Sequence, residues 1–103
     1  MTGMMSLAER ASLIKKALLG MKNEGNVFNI KIRTDIELAI DDLNRIIEKN
    51  CLDCLDKKNI RNLALKLGNL KYKVYAQGKM EAFHSLVFLV KKINEYKNIK
   101  KIK

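Results

Sequence analysis

Apolar side chains recur along the chain at alternating spacings of three and four residues, which predicts amphipathic α-helices. Four such stripes can be traced, and each is long enough to cover one side of a helix. In chain order they are Leu7, Ala11, Ile14, Leu18 and Met21; Ile36, Ala39, Ile40, Leu43, Ile46 and Ile47; Ile60, Leu63, Leu67, Leu70 and Val74; and Phe83, Leu86, Val90 and Ile93. The pattern therefore predicts four helices that share one core.

Polar residues before the first two stripes predict where those helices begin. A Ser-x-x-Glu box stands at residues 6–9 and a Thr-x-x-Glu box at residues 34–37. Such boxes satisfy the unpaired backbone N–H groups of a helix start. We expect the first helix to end at Gly25, since glycine commonly terminates helices. Residues 27–32 are then expected to form an extended connection or a very short strand before the second helix.

The third helix is predicted over residues 56–77 and the fourth over residues 79–98. If the third helix continued through Gly78 in the same phase, the charged residues Glu81 and Lys91 would fall on the core side. Burying these charges is costly. The sequence therefore predicts that the chain turns at Gly78.

The composition is typical of a single all-α domain. The 103 residues include no proline and only 5 glycines, which favours long helices. No apolar run approaches the ~20 residues that cross a bilayer, and the N-terminus lacks the pattern of a secretory signal. We therefore predict a cytoplasmic protein without membrane association. Residues 1–98 are expected to form one compact bundle of about four helices, followed by a frayed basic tail at residues 99–103.

The net charge of the chain arises in its second half. Residues 1–56 carry 8 basic and 9 acidic side chains, whereas residues 57–103 carry 13 basic and 2 acidic ones. The formal net charge of +10 therefore belongs to the second half alone. Such a field attracts polyanions whatever the fold beneath it. The partner is accordingly expected to be a nucleic acid or an acidic protein.

Residues 60–79 carry a pattern that also occurs in pairs of helices joined by a tight turn. Ala64 is small enough for two helices to approach, and Gly68 can adopt the left-handed conformation of a turn. Leu67 and Val74 supply apolar anchors on either side of that turn. In these features the segment resembles the helix-turn-helix of DNA-binding proteins.

The resemblance implies a recognition helix that begins near Lys71 and enters the major groove. Lys71, Tyr72, Lys73 and Tyr75 would then contact phosphates and base edges. The same apolar stripe is also what one continuous helix shows, with Gly68 as an interior glycine that costs ~1 kcal/mol. A turn at Gly68 would favour DNA binding, and a straight helix would favour a protein-interaction module.

The candidate binding residues are the cations and tyrosines of the second half. They are Lys58, Arg61, Lys66, Lys71, Tyr72, Lys73, Tyr75, Lys79, Lys100 and Lys101. Leu65, Tyr72 and Tyr75 fall among these cations and off the core stripe, an interleaving typical of nucleic-acid or partner surfaces. The alternative is that Leu65 packs against the first helix while the lysines are solvated.

No group of residues predicts catalysis, a metal site or a cofactor. Cys51 and Cys54 form a lone Cys-x-x-Cys within the expected connection at residues 50–56, and a structural zinc site needs more ligands. The alternative to two ordinary thiols is a zinc ion shared between two subunits. His84 has Glu81 at helical spacing but no nucleophile beside it. We therefore predict a protein that is not an enzyme.

Together these observations lead to one hypothesis and one alternative. The hypothesis is a small nucleic-acid-binding protein, for DNA rather than RNA, that uses its basic half. By analogy with helix-turn-helix proteins it is expected to be a homodimer. The alternative is a helical interaction module or inhibitor, of the size of mobile-element regulators and bacteriocin immunity proteins, that binds an acidic partner protein.

Overall fold

The computed structural model describes residues 5–23 and 30–102, and for residues 97–102 it describes the backbone only. The described residues form four helices: α1 (Leu7–Asn23), α2 (Ile30–Lys49), α3 (Lys57–Ala76) and α4 (Met80–Ile102). Each helix packs against its neighbours in the chain, and α4 closes the ring by packing against α1. The predicted all-α bundle of about four helices is confirmed.

The core is built largely from the predicted apolar stripes. All the predicted positions of α3 are at most 1% exposed. In α1 and α2 the predicted positions are either buried or packed at the edge of the core. The prediction is less accurate for α4, where Leu89 is fully buried while Phe83 and Val90 lie at the edge. Because α4 packs on both α1 and α3, its buried face is centred between the two contacts.

The predicted start of α1 is confirmed by its hydrogen bonds. The backbone N–H of Ser6 donates to Oε1 of Glu9 at 2.7 Å, and the backbone N–H of Glu9 donates to Oγ of Ser6 at 3.1 Å. This reciprocal pair is the capping box that the sequence predicts. The expected end of α1 at Gly25 lies outside the described residues.

The predicted start of α2 is wrong. The helix begins at Ile30, so residues 30–32 are helical and Thr34 lies inside the helix. The carboxylate of Glu37 does not cap a helix but pairs with Nζ of Lys22 in α1 at 3.0 Å. In a capping box, the Glu37 carboxylate would accept a hydrogen bond from the backbone N–H of Thr34. Here Lys22 of α1 is its partner instead. Residues 27–29 of the expected extended connection lie outside the described part of the chain.

The connection between α2 and α3 occupies residues 50–56, as predicted. Asn50 has a φ of 53°, and its Oδ1 accepts a hydrogen bond from the N–H of Ala8 at 2.9 Å. The Cys54 thiol donates to the carbonyl oxygen of Cys51 at 3.1 Å. Burial raises the pKa of the Cys54 thiol, and the neighbouring Cys51 raises it further. A raised pKa makes the Cys54 thiol a weaker nucleophile.

The chain turns at Gly78, as predicted, and not at Gly68. The third helix ends at Ala76, Gly78 has a φ of 74°, and α4 begins at Met80. Glycine adopts this left-handed conformation without strain. Gly68 lies within α3, which continues unbroken on both sides of it. The turn that a helix-turn-helix requires at Gly68 is therefore absent from this segment, and of the two alternatives that the sequence left open the structure shows the continuous helix.

Gly68→Ala is expected to raise the free energy of unfolding by about 0.5–1 kcal/mol. Alanine forms helices more readily than glycine, and an added Cβ at position 68 would have no other atom within 4 Å. Urea unfolding monitored by circular dichroism measures the change. The control is Gly78→Ala, which must adopt the left-handed conformation and is expected to lose stability. A loss of stability in Gly68→Ala would contradict a continuous helix.

The fourth helix continues to Ile102, beyond its expected end near Asn98. The backbone of residues 99–102 belongs to this helix, and the fraying of the tail stays a prediction. The side chains of Lys100 and Lys101, both predicted to bind phosphates, lie outside the described residues. Among the helices described, none is long and apolar enough to cross a membrane.

Candidate interaction surface on the third helix

Five residues on one side of α3 are exposed and recur at spacings of three and four. They are Lys58, Arg61, Leu65, Asn69 and Tyr72, and we call them the outer face of α3. They lie opposite the buried stripe of the same helix, because side chains at these spacings share one side of a helix. The face is about 21 Å long, given the helical rise per residue.

Two of these residues expose large apolar or aromatic side chains to solvent. Leu65 is 62% exposed and Tyr72 is 71% exposed. The alternative in which Leu65 packs against α1 is therefore wrong. Their separation of seven residues is two helical turns, which places both on the same side of α3, about 10.5 Å apart. A single exposed leucine is common on protein surfaces. The outer face of α3 differs because it exposes two large side chains, Leu65 and Tyr72.

The charged residues of α3 are all basic. They are Lys57, Lys58, Arg61, Lys66, Lys71 and Lys73. Lys57 and Lys58 stand in the first turn, where the positive end of the helix dipole disfavours a cation by about 0.3–1 kcal/mol. Asp56 offsets part of this cost, because its side chain accepts a hydrogen bond from the N–H of Asn59 at 2.8 Å. The fold itself does not benefit from this concentration of charge.

On the flank of α3 that faces α2, an acidic group lies near a cation. Asp42 of α2 is 9% exposed, and burial raises the pKa of its carboxyl group, while the nearby cations Lys66 and Arg45 lower it. Lys73 is half-buried, seven residues from Lys66 on the same side of the helix, and it also has an interaction partner. Lys66 is thus partly neutralised within the bundle.

The flank towards α4 carries Lys71 and Tyr75. The Tyr75 ring meets the Phe83 ring of α4 edge-on, with centroids 5.1 Å apart. Nζ of Lys71 lies 5.0 Å from the centroid of the Tyr72 ring. Because residues two apart on a helix are about 200° apart around its axis, Lys71 and Lys73 face opposite flanks. The structure therefore does not bring the four predicted recognition residues onto one face.

The predicted binding residues are thus divided among several places. Lys58, Arg61 and Tyr72 lie on the outer face, and the cations of the two flanks lie beside it. Lys79 is exposed in the turn after α3, with its Cε close to Gly20 of α1. Leu65 was not among the predicted binding residues. Its position opposite the core stripe was the signal in the sequence that could have assigned it to the surface.

Asp42→Asn is expected to stabilise the protein at neutral pH. Burial raises the folded-state pKa of Asp42 above its ordinary value of 3.8, so folding favours the protonated carboxyl group. The protonated carboxyl group therefore contributes to stability below pH 3.8. This contribution is lost as the pH rises through the folded-state pKa of Asp42. The gain from the asparagine is therefore expected to increase across this range. Urea unfolding at a series of pH values measures it.

The control for this prediction is Asp41→Asn, which removes the same charge from an exposed neighbouring position. If both variants gained the same stability with the same pH dependence, the effect would come from net charge and not from burial of Asp42. A gain in Asp42→Asn that did not change with pH would also contradict the prediction.

Comparison of the chain with protein-family models, with curated proteins and with solved structures finds no match. In the described part of the chain, no three histidine, cysteine or acidic side chains are placed to hold a metal ion. The function of the surface is therefore inferred from its geometry and charge.

Proposed function

We propose that this protein is a non-enzymatic interaction module that binds an acidic partner protein through the outer face of α3. The observation that carries the proposal is the exposed Leu65, which lies among cations on a helix that is unbroken at Gly68. A phosphate backbone has no apolar surface that would cover a leucine. A protein interface buries apolar anchors near its centre and leaves charged residues at its rim.

In this proposal the residues of the outer face have two roles. Leu65 and Tyr72 are the anchors, because their exposed area can be removed from water on binding. Arg61 and Lys58 form a basic rim that meets acidic side chains of the partner. Exposed rim charges raise the rate of association more than the affinity. Salt is therefore expected to slow association while leaving most of the affinity in place.

The charge of α3 favours nucleic-acid binding as a second candidate function. The helix carries six cations and no acidic residue, a pattern that suits contacts with phosphates. The exposed ring of Tyr72 offers a surface on which an unpaired base can stack. Without a turn at Gly68 this candidate loses the predicted recognition helix, so single strands fit it better than sequence-specific reading of duplex DNA.

A pair of binding assays tests the proposal against this second candidate. In the first, a displayed library of helical peptides is selected on the immobilised protein at physiological salt. In the second, labelled random duplex DNA, single-stranded DNA and RNA are titrated with the protein at several salt concentrations. We expect acidic peptides with apolar residues at helical spacing to be enriched, and we expect weak nucleic-acid binding near physiological salt.

Low-micromolar or tighter nucleic-acid binding that falls steeply with salt, without enrichment of acidic peptides, would overturn the proposal. It would also show which polymer the protein binds. The salt slope would then count the phosphates neutralised, since each contributes about −0.9 to the slope on duplex DNA and about −0.7 on single strands.

The homodimer and the cytoplasmic location stay predictions. The outer face of α3 is basic and would repel the same face of a second copy. A dimer is therefore expected to form through another surface, such as that of α1 and α2, which carry most of the acidic residues of the chain. Sedimentation equilibrium at low and high salt checks the oligomeric state.

A further inference from the structure

Gly68 reduces the stability of α3 without any benefit visible inside the molecule. A glycine within a helix costs ~1 kcal/mol relative to alanine. Gly68 does not adopt the left-handed conformation, and an added Cβ would meet no atom within 4 Å. Neither the backbone conformation nor the packing of the bundle therefore requires a glycine here. Departures of this kind from local preference are expected at functional positions.

Exposed side chains of α3 flank Gly68 and leave a gap above its backbone. Leu65 precedes it by three residues and Tyr72 follows it by four, so all three are neighbours on one side of α3. With Asn69 they occupy positions i, i+3, i+4 and i+7 of the helix. Four residues at these positions form the hole that receives one side chain of a facing helix in knobs-into-holes packing. We call this hole the Gly68 notch.

We infer that the Gly68 notch receives an apolar side chain from an acidic amphipathic helix of the partner protein. The inference rests on the function proposed above and identifies the kind of partner. A helix fits because the notch has the geometry with which helices pack against one another. An acidic helix fits because the charged side chains of α3 are all basic. A second copy of α3 would bring lysines against lysines and is therefore excluded as the occupant.

The inference is tested with a probe peptide, namely the tightest acidic helical peptide recovered from the displayed library. Its dissociation constant is measured by fluorescence anisotropy for the wild-type protein, Gly68→Leu and Leu65→Lys. Gly68→Leu fills the notch, and its Cβ has no side chain within 4 Å to clash with. We expect its affinity for the peptide to fall about tenfold or more, as when a central anchor of an interface is lost.

The control is Gly20→Ala, which changes another helical glycine, one located in α1. It is expected to bind the peptide as the wild type does. Unfolding in urea verifies that each variant is folded. A stability change alone would affect both glycine variants, whereas the notch concerns Gly68 only.

A second measurement combines the larger side chain of Gly68→Leu with a peptide in which the facing side chain is smaller. The apolar residue of the peptide that enters the notch is identified by alanine scanning and shortened to alanine. We expect the shortened peptide to bind the wild-type protein weakly and to bind Gly68→Leu more tightly than the original peptide does. This reversal requires direct contact at position 68.

The outcomes separate the notch from the function on which it rests. If Leu65→Lys lost the peptide while Gly68→Leu bound it as the wild type does, the notch would be wrong and the interaction surface would stand. If Leu65→Lys bound the peptide normally, both the surface and the notch would be wrong. Tighter binding by Gly68→Leu would also overturn the notch, since it would show that the partner covers a flat surface.

Discussion

Leu65→Lys is expected to weaken binding of the acidic helical peptide by about 100-fold, the loss typical of a central anchor. The substitution removes an apolar contact and places a charge where the partner would bury an apolar side chain. The fold is expected to be unaffected, because Leu65 is 62% exposed and lysine is nearly as favourable as leucine in a helix. Fluorescence anisotropy measures the affinity for the peptide, and urea unfolding measures the stability of the variant.

The same substitution has the opposite effect on the second candidate function. An added cation on α3 is expected to tighten binding of a nucleic acid and to make its salt dependence steeper. Leu38→Lys is the matched control, because Leu38 is an exposed leucine of α2, at 46%. If Leu65→Lys strengthened nucleic-acid binding and left peptide binding unchanged, the interaction module would be rejected in favour of a nucleic-acid-binding protein.

Leu67→Ala is expected to lower the free energy of unfolding by about 2–5 kcal/mol. Leu67 is 0% exposed, so its truncation leaves a cavity in the core. Leu65→Ala, two residues away on the same helix, is expected to change stability by less than about 0.5 kcal/mol, as exposed positions usually do. Urea unfolding of both variants compares the core side of α3 with its outer face.

Equal losses in the two leucine variants would contradict the position of the outer face. They would mean that Leu65 packs as closely as Leu67, in conflict with its 62% exposure. The pair of variants therefore checks, from stability alone, which side of α3 faces the core.

The sequence alone determined those features of the protein that depend on residues close together in the chain. The buried stripe of α3 followed from apolar periodicity, because a helix brings residues three and four apart to one side. The capping box at Ser6 and Glu9 followed from their spacing, since their hydrogen bonds form within one turn. The turn at Gly78 followed from the charges that a continued helix would have buried.

Tertiary structure decided the features that depend on residues far apart in the chain. The start of α2 at Ile30 was not evident, because Glu37 pairs with Lys22 of α1 and so does not serve as a cap. The phase of α4 was set by its contacts with both α1 and α3. These outcomes depend on which helices are neighbours, and local spacing carries no information about that.

The candidate surface was predictable only in part for the same reason. Net charge predicts that a partner binds the second half of the chain, because charge is a sum over residues and does not depend on packing. The exposure of Leu65 and the continuity of α3 at Gly68 were open in the sequence, since one apolar stripe fits both one helix and two. The structure shows that α3 is continuous at Gly68 and packs between α2 and α4. A helix in contact with two neighbours leaves one side uncovered, and Leu65 lies on that side.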